Sequence, residues 1–541
     1  MDTFDYVIVG GGSAGSLLAF RLSEAGHSVC VIEAGPPDRN PYILIPAGFI
    51  KTLADPAVTW QFQTEPCEGT AGRPIGIPQG RTLGGSSAIN GAIYSRGQPA
   101  DFDGWAQLGN TGWSFADVLP YFRRTERRIG DADEHYRGRE GRLPVTTNRL
   151  DAPVAEAFID GAVEQGLPRN ADHNGAEQFG VAYSQSVIHK GLRVSAARAF
   201  LHPARRRYGV EIRTDALVTR VIVENGRATG VAYRHKGVGA EQIVRAGREV
   251  ILSAGAFNTP KLMQLSGLGP GAVLRDAGIG LVRDLPGVGE NLRDHYNARI
   301  VARGVPGMNG INRRVQGWRL GREVLRWMLR RPSVLSISPA LVHVFGKSNP
   351  VLDNPDFFLV FTPGSYKRGF IGKLDDFPGL SCGSTPLRPE SRGTVRIKSA
   401  EAAVPPVIQP NYLSAEYDQR IQVAALRCAR SLIESAPMRP FVEAENFPGA
   451  DVQTDDQWLA FARETGGTSF HPAGTCRMGP AGDPDAVVDP NLRVHGIDGL
   501  RIVDASVMPT LVSANTYAAT MMIAEKAADL ILGRPPLSPA R

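Results

Sequence analysis

A glycine-rich turn near the N-terminus restricts the fold of this chain more than any other feature of its sequence. The apolar run 4–9 is followed by Gly10, Gly12 and Gly15, the spacing of a dinucleotide-binding turn between a strand and a helix. Gly10 permits a tight turn, Gly12 lets the backbone approach a pyrophosphate, and Gly15 lets the helix pack against the strand. The sequence therefore predicts a βαβ unit whose helix N-terminus faces phosphate groups.

The strand expected next supports this interpretation. It covers residues 28–32, follows a helix that we expect to end at Gly26, and leads into Glu33. A carboxylate at this distance from the glycines can accept hydrogen bonds from the ribose hydroxyls of a bound adenosine. The motif alone does not distinguish FAD from NAD.

Composition argues against several other classes of protein. A chain of 541 residues suggests two closely associated domains, and its net charge of +6 is spread without a compact basic run, so we expect no nucleic-acid partner. Five scattered cysteines favour a reducing compartment over a disulfide framework or a zinc site. Neither a signal peptide nor an apolar run of about 18 residues is recognisable, so we expect a cytoplasmic protein without a membrane span.

The rest of the chain predicts further strands and helices, with loops and short helices over 60–150. Strands are expected at 211–213, 217–223, 230–233, 249–253, 393–397 and 500–503, and helices at 313–331 and 516–532. The α/β pattern of the N-terminal end thus returns at the C-terminal end.

Four further stretches carry a family resemblance. In chain order they are GRTLGGSSAIN (80–90), GAFNTPKLMQLSGLG (255–269), LPGVGENLRDH (285–295) and FHPAGTCRMG (470–479), the last followed by VDASVMP (503–509). Their sequence and order resemble the signatures of the glucose–methanol–choline (GMC) family of FAD-dependent oxidoreductases. The chain is most similar in character to the bacterial alcohol and choline dehydrogenases of that family.

The resemblance implies an α/β fold, with a Rossmann-like FAD-binding domain and a second α+β substrate domain built on an antiparallel sheet. The discontinuous FAD-binding domain is expected to comprise 1–150, 205–300 and 465–541, and the substrate-binding domain 151–204 and 301–464. Since the family resemblance is weakest at about 300–460, the sequence does not indicate which alcohol is bound.

The resemblance also implies non-covalent FAD and a set of residues that contact it. Some relatives attach FAD through a histidine where this chain has Ile89, so a histidyl link at this position is not expected. The expected FAD contacts are Gly10, Gly12, Ser13, Ala14, Gly15, Glu33, Ala34, Trp60, Arg81, Leu83, Gly84, Gly85, Ser86, Asn90, Gly91, Ala92, Ile93, Val218, Ala254, Phe470, Asp504, Ala505, Asn515 and Thr516.

Alcohol oxidation requires removal of a proton from oxygen and of a hydride from carbon. By resemblance, His471 is the catalytic base and Asn515 its partner, while Tyr517 replaces an asparagine that relatives often carry. The expected reaction converts a primary alcohol to an aldehyde by hydride transfer to flavin, with a quinone, a dye or O₂ as electron acceptor. An O₂-using alcohol oxidase is the near alternative, and a non-redox flavin lyase or decarboxylase is a more distant one.

Two other histidines have different interpretations. His295 closes the third motif, and we expect it to hold a turn by hydrogen bonds. His343 lies in the variable region, where a surface or core position and a contact with substrate both stay open.

A basic segment raises the question of membrane contact. Arg319, Arg322, Arg326 and Arg330 recur at helical spacing, and Leu320, Val324, Trp327 and Met328 lie on another side. One interpretation is a surface helix that packs its apolar side on the protein core. The other is an interfacial helix that touches an anionic membrane near the active-site entrance, which would make the protein peripheral to the inner membrane.

Overall fold

The βαβ unit predicted at the N-terminus is present in the computed structural model, which describes residues 2–367 and 372–540. The strand Asp2–Val9 leads through the glycine turn into the helix Ser13–Glu24, and the strand Val29–Ile32 follows. Gly26 has a φ of +89° just after the helix, so it ends the helix as predicted. The two strands pair in parallel and are almost fully buried along their paired residues, as expected for a sheet covered on both faces.

These strands belong to the first of two seven-stranded sheets in the described part of the chain. Its strands, in spatial order, are Glu211–Arg213, Val29–Ile32, Asp2–Val9, Gln242–Leu252, Arg227–His235 and Ala216–Glu224, and Leu500–Ile502 pairs in parallel with the end of Gln242–Leu252. The order places the glycine turn and the end of Leu500–Ile502 at the same edge, where the strands of a Rossmann-like sheet present their carboxyl ends to a ligand.

The second sheet is antiparallel. Its strands, in spatial order, are Val442–Phe447, Tyr296–Gly304, Gly379–Pro386, Phe357–Thr362, Val342–Gly346 and Gly180–Tyr183, and Gly467–Thr468 pairs with the start of Tyr296–Gly304. Alternate residues of Tyr296–Gly304 pack in a core with the helix Glu416–Ile433, and the intervening residues face a cavity. The Rossmann-like sheet and the antiparallel sheet confirm the predicted fold class, while the exact domain limits stay a prediction.

Helices cover both sheets and connect them. The main ones are Ser13–Glu24, Pro99–Gln107, Phe115–Thr125, Pro153–Glu164, His202–Tyr208, Gly255–Leu265, Gly271–Asp276, Trp318–Met328, Glu416–Ile433, Asp455–Thr465 and Thr516–Ile531. The C-terminal helix is almost entirely buried and packs on Ser13–Glu24 and Phe115–Thr125. In the part of the chain that the structure describes, no helix combines the length and apolarity needed to cross a bilayer.

The basic segment, predicted as one helix over 313–331, forms two helices in the structure. They are Ile311–Arg314 and Trp318–Met328, and residues 315–317 join them. The longer helix buries Glu323, which accepts hydrogen bonds from Arg314 at 3.0 and 3.2 Å. Several of its apolar side chains are exposed: Trp318 73%, Leu320 39%, Val324 38%, Leu325 57% and Met328 68%. Trp327 is half-buried and donates to the Gly191 carbonyl oxygen at 2.8 Å. The interpretation in which the apolar side packs on the core therefore holds for Trp327 but not for Leu320, Val324 and Met328.

Candidate active site

A cavity of about 1170 Å³ lies between the two sheets. One end is lined by the glycine turn and by residues that follow strands of the first sheet, including Glu33 and Ala254. The other end is lined by one face of the second sheet. His471 and Asn515 also line the cavity, so a group bound along the first sheet and a substrate on the second sheet would meet beside them.

The first end of the cavity is a cradle built from backbone. A Cβ atom at Gly10 would lie 2.4 Å from the Ser253 carbonyl oxygen, and one at Gly15 would lie 2.0 Å from the Gly10 oxygen. A Cβ atom at Gly85 would lie 2.8 Å from the Cα of Gly12, so the two glycine loops meet without side chains between them. Only glycine allows this approach, which leaves room for a phosphate-bearing group at the start of Ser13–Glu24.

The same helix provides donors for that group. It has no side-chain cap at Gly12 and no acidic residue in its first turn, so its first N–H groups and its dipole favour an anion. Glu33 accepts hydrogen bonds from the N–H groups of Gly11 (2.9 Å) and Gly35 (2.8 Å), which fixes the turn. Burial raises the pKa of Glu33 to about 7. These residues fit the pyrophosphate and ribose of a dinucleotide.

The structure brings most of the predicted FAD contacts to the cavity wall. They are Gly10, Gly12, Ser13, Ala14, Glu33, Ala34, Trp60, Gly85, Ser86, Asn90, Gly91, Ile93, Val218, Ala254, Phe470, Asp504, Ala505, Asn515 and Thr516. Five others lie behind that wall: Gly15, Arg81, Leu83, Gly84 and Ala92. Gly84 donates to the oxygen of Gly11, within the glycine turn, at 2.7 Å, and Arg81 lies over the ring of the lining residue Trp60 at 4.9 Å.

The loop that carries His471 is held in an uncommon backbone conformation. Phe470 has a φ of +64°, a left-handed value that is costly for an aromatic residue and turns the next side chain into the cavity. The buried Asp294 carboxylate accepts from the His471 N–H at 2.8 Å and from the hydroxyls of Thr468 and Tyr412, each at 2.5 Å. The third sequence motif therefore anchors the fourth.

Hydrogen bonds determine which nitrogen of His471 carries a proton. Nε2 of His295 lies 2.9 Å from the carbonyl oxygen of Leu387, which only accepts, so this nitrogen donates. Nδ1 of neutral His295 is then an acceptor, and Nδ1 of His471, 2.9 Å away, donates to it. Nε2 of neutral His471 therefore keeps its lone pair, and the Asn515 side-chain amide donates to it at 2.9 Å.

Burial keeps both rings neutral. It lowers the pKa of His471 well below its ordinary value of 6.5, and the neighbouring His295 lowers it further. Burial also lowers the pKa of His295 to about 4. His471 thus presents an unprotonated Nε2 at neutral pH, which is the state required of a general base.

Asn515 is placed for the same task. It is the N-cap residue of Thr516–Ile531, yet its side chain makes no capping hydrogen bond. Asparagine is among the best capping residues. Because the Asn515 amide binds His471 instead, the helix lacks the stabilisation of a side-chain cap and His471 gains a hydrogen-bond donor. His471 and Asn515 together form a donor–acceptor pair that matches a single hydroxyl group.

Sequence reasoning missed the role of one histidine in this arrangement and left the role of another open. His295 was expected only to hold a turn, and its contact with His471 depends on three-dimensional pairing that no sequence motif states. A contact between substrate and His343 stayed open, but this ring is fully buried beside Phe358 and does not line the cavity. It lies on the strand Val342–Gly346, where it pairs with Val360 and so shares the sheet face that turns to the cavity, but the ring itself is not part of the cavity wall.

Comparison with known proteins agrees with the fold. Two family models described as GMC oxidoreductase match residues 4–297 and 389–524. The oxygen-dependent choline dehydrogenases of Staphylococcus saprophyticus and Brucella ovis are each 39% identical over 99% of this chain and 96% of their own length. Among solved structures, pyridoxine 4-oxidase from Mesorbium loti is 32% identical with a TM-score of 0.86, covering 97% of this chain and 98% of its own. A formate oxidase from Aspergillus oryzae is 26% identical with a TM-score of 0.90, covering 98% of both chains.

The sheet order and the glycine cradle, together with the two family models, define a flavin-dependent oxidoreductase of the α/β class. The chain belongs to the GMC oxidoreductase family. It is an FAD-dependent oxidoreductase that acts on CH–OH donors.

Proposed function

We propose that the protein oxidises a primary alcohol to an aldehyde, with His471 as the base and Asn515 as its partner. The observation that carries this proposal is the unprotonated Nε2 of His471, which lies beside the Asn515 amide in the cavity. Bound FAD supplies the acceptor for the hydride that leaves the alcohol carbon. The glycine cradle, the N-terminus of Ser13–Glu24 and Glu33 would hold its pyrophosphate and ribose.

The protein's own residues handle the proton. An alcohol oxygen that binds between the two side chains donates its proton to Nε2 of His471 and accepts from Nδ2 of Asn515, which replaces their direct contact. The charge that His471 gains is shared along the Nδ1–H bond to His295. The same two contacts fix the direction of the C–H bond, because they leave the alcohol carbon little rotational freedom.

We also propose that FAD is bound without a covalent link at position 89. Ile89 is buried and lines the cavity, and its aliphatic side chain offers no atom that could form such a bond. Acid precipitation should therefore release the flavin into the supernatant. Flavin that stays with the precipitate contradicts this part of the proposal.

For the electron acceptor, we propose a dehydrogenase that passes electrons to a quinone or dye, with O₂ as the alternative acceptor. The 39% identical relatives are named oxygen-dependent choline dehydrogenases, a name that supports a dehydrogenase but also O₂ as its acceptor, and the solved relatives include oxidases. Turnover of a panel of alcohols, choline included, should be faster with a dye than with O₂ alone. If turnover with O₂ alone is as fast as turnover with a dye, the enzyme is an oxidase.

We further propose that the helix Trp318–Met328 makes peripheral contact with an anionic membrane, which would place the cytoplasmic enzyme at the inner membrane. Exposed Trp318, Leu325 and Met328 beside four arginines support this, since interfacial helices combine an apolar and a basic side. Each arginine near such a surface adds about 1 kcal/mol at low salt. Wild type should sediment with anionic vesicles but not neutral ones, and a Trp318→Ser/Met328→Ser variant should bind less. Equal recovery of both proteins in the supernatant contradicts the proposal.

A further inference from the structure

The second sheet presents a regular face to the cavity. Three rows of residues, paired across three strands, make up this face: Asn297, Thr385 and Phe358; Arg299, Gly383 and Val360; and Val301, Ser381 and Thr362. The first row contains a hydrogen bond of 2.9 Å from the Asn297 amide to the Thr385 hydroxyl. The middle row has a cation at one end and a glycine at its centre, and the Asn297 amide lies against this glycine, where a Cβ atom would be 2.9 Å from Asn297 Nδ2.

Arg299 has no protein partner in the described part of the chain. It makes no ion pair within 4.0 Å and no hydrogen bond, although its side chain is accessible from the cavity. Arg299 is exposed within the cavity rather than packed in the core, and the surrounding protein lowers its pKa by desolvation. A guanidinium that faces the cavity without a counter-charge attracts an anion that enters it.

The other described lysines and arginines that line the cavity are already engaged. Arg73 donates to the carbonyls of Arg463 and Gly466, Lys261 donates to that of Ala402, and Lys367 pairs with Asp376. Among the described residues of the cavity wall, Arg299 is thus the lysine or arginine left without a protein partner. One guanidinium balances the single charge of a carboxylate, and its planar donors fit both carboxylate oxygens at once.

The position of Arg299 relative to the base sets the shape of that ligand. His295, which contacts His471, immediately precedes the strand Tyr296–Gly304, and Arg299 follows it by four residues. Four residues of extended strand place their Cα atoms about 13 Å apart. A substrate that reaches both ends must therefore separate its hydroxymethyl carbon from its anionic group, and Phe358 and Val360 provide an apolar surface for the part between.

We propose that Arg299 binds the carboxylate of an anionic substrate, whose primary alcohol lies at the opposite end of the molecule beside His471. This inference rests on the proposed alcohol oxidation and names its substrate class. It also predicts that choline, which is a cation, is a poor substrate because its charge is repelled by Arg299.

The test compares three alcohols in anaerobic flavin reduction by the holoenzyme: 4-(hydroxymethyl)benzoate, its neutral analogue 4-methylbenzyl alcohol, and choline. Wild type should favour the carboxylate over the neutral alcohol by roughly tenfold or more in kcat/KM. Arg299→Gln should lower kcat/KM for the carboxylate by roughly 30- to 1,000-fold and leave the neutral alcohol within about threefold. Arg299→Lys keeps the charge and should recover part of the loss. Flavin content and thermal midpoint of each variant report whether it has folded.

A second measurement does not depend on turnover. 4-Methylbenzoate carries the carboxylate but no alcohol, and its binding can be followed by the flavin absorption spectrum. Its Kd should rise in Arg299→Gln and fall back in Arg299→Lys. If the neutral alcohol bleaches the flavin but the carboxylate gives no advantage that depends on Arg299, the inference is wrong and alcohol oxidation stands. If 4-methylbenzoate binding depends on Arg299 but no alcohol bleaches the flavin, the carboxylate site stands and alcohol oxidation fails.

Discussion

The two ends of the cavity are built in different ways. At the cofactor end the wall is backbone, and Gly10 and Gly85 leave no room for side chains. At the substrate end the wall is a set of side chains on a rigid antiparallel sheet, with Asn297 and Arg299 facing inwards. A backbone wall fixes residue identity, since any Cβ atom collides, whereas a side-chain wall can change residue by residue while the strand pairing is kept. One fold can therefore keep its cofactor and change its substrate.

The largest effect is expected from an added methyl group at the cofactor end. Gly10→Ala places a Cβ atom 2.4 Å from the Ser253 oxygen at a φ of +102°. We therefore expect the free energy of unfolding to fall by about 3 kcal/mol or more and the variant to bind little flavin. Gly26→Ala is the matched control, because its φ is +89° but nothing lies within 4 Å. Gly26→Ala should lower the free energy of unfolding by about 1 kcal/mol, and this variant should still bind flavin. Equal flavin content and thermal midpoints in both variants would show that the cradle is not sterically closed.

A smaller, purely catalytic effect is expected where the two ends meet. His471→Ala should keep FAD but slow flavin reduction by roughly 10²–10⁴-fold, because the general base is lost. His235→Ala, which changes an exposed histidine, is the control and should leave the rate unchanged. Rapid mixing with substrate in the absence of air measures both. A near-normal rate in His471→Ala would remove this residue from the mechanism.

The hydrogen bond between His471 and His295 should affect the rate less than His471 itself does. His295→Ala leaves the Nδ1–H of His471 without its acceptor, and we expect kcat/KM to fall by about tenfold. In wild type the acid limb of the kcat/KM profile should lie well below pH 6.5, since burial favours neutral His471 and keeps the base unprotonated as pH falls. Without His295 the acid limb should move, which a purely structural loss would not cause. An acid limb at or above pH 6.5 in wild type contradicts the assigned protonation state.

The smallest effect concerns Glu33. Glu33→Gln replaces one of two acceptor oxygens by an NH₂ group, which then faces the N–H of Gly11 or Gly35. We expect FAD to bind less tightly by a few-fold to about tenfold, with unchanged preference among alcohols. Titration of the apoprotein with FAD gives the affinity, and the alcohol panel gives the preference. A changed preference would mean that the two ends of the cavity are coupled through this residue.

The sequence predicts these two ends to very different extents. The glycine turn is visible because its residues are restricted by their own backbone, and the positions of His471 and Asn515 follow from motifs near them in the chain. The partner of His471 is not visible, because His295 lies 176 residues away and its role depends on which nitrogen faces which acceptor. Arg299 stands among alternating residues of a strand, a pattern that assigns a face but not the charge balance around it. The same limit applies to Trp318–Met328, whose spacing predicts two sides but not which one the protein covers.

Anaerobic reduction of the flavin by a primary alcohol tests the central claim most directly. The purified protein should be yellow, and its visible flavin absorption should bleach when 4-methylbenzyl alcohol or 4-(hydroxymethyl)benzoate is added without air, with one aldehyde formed per flavin. Admission of an electron acceptor should restore the colour. Flavin that keeps its oxidised spectrum with every alcohol of the panel, while the His471–Asn515 pair is intact, would contradict alcohol oxidation by this site.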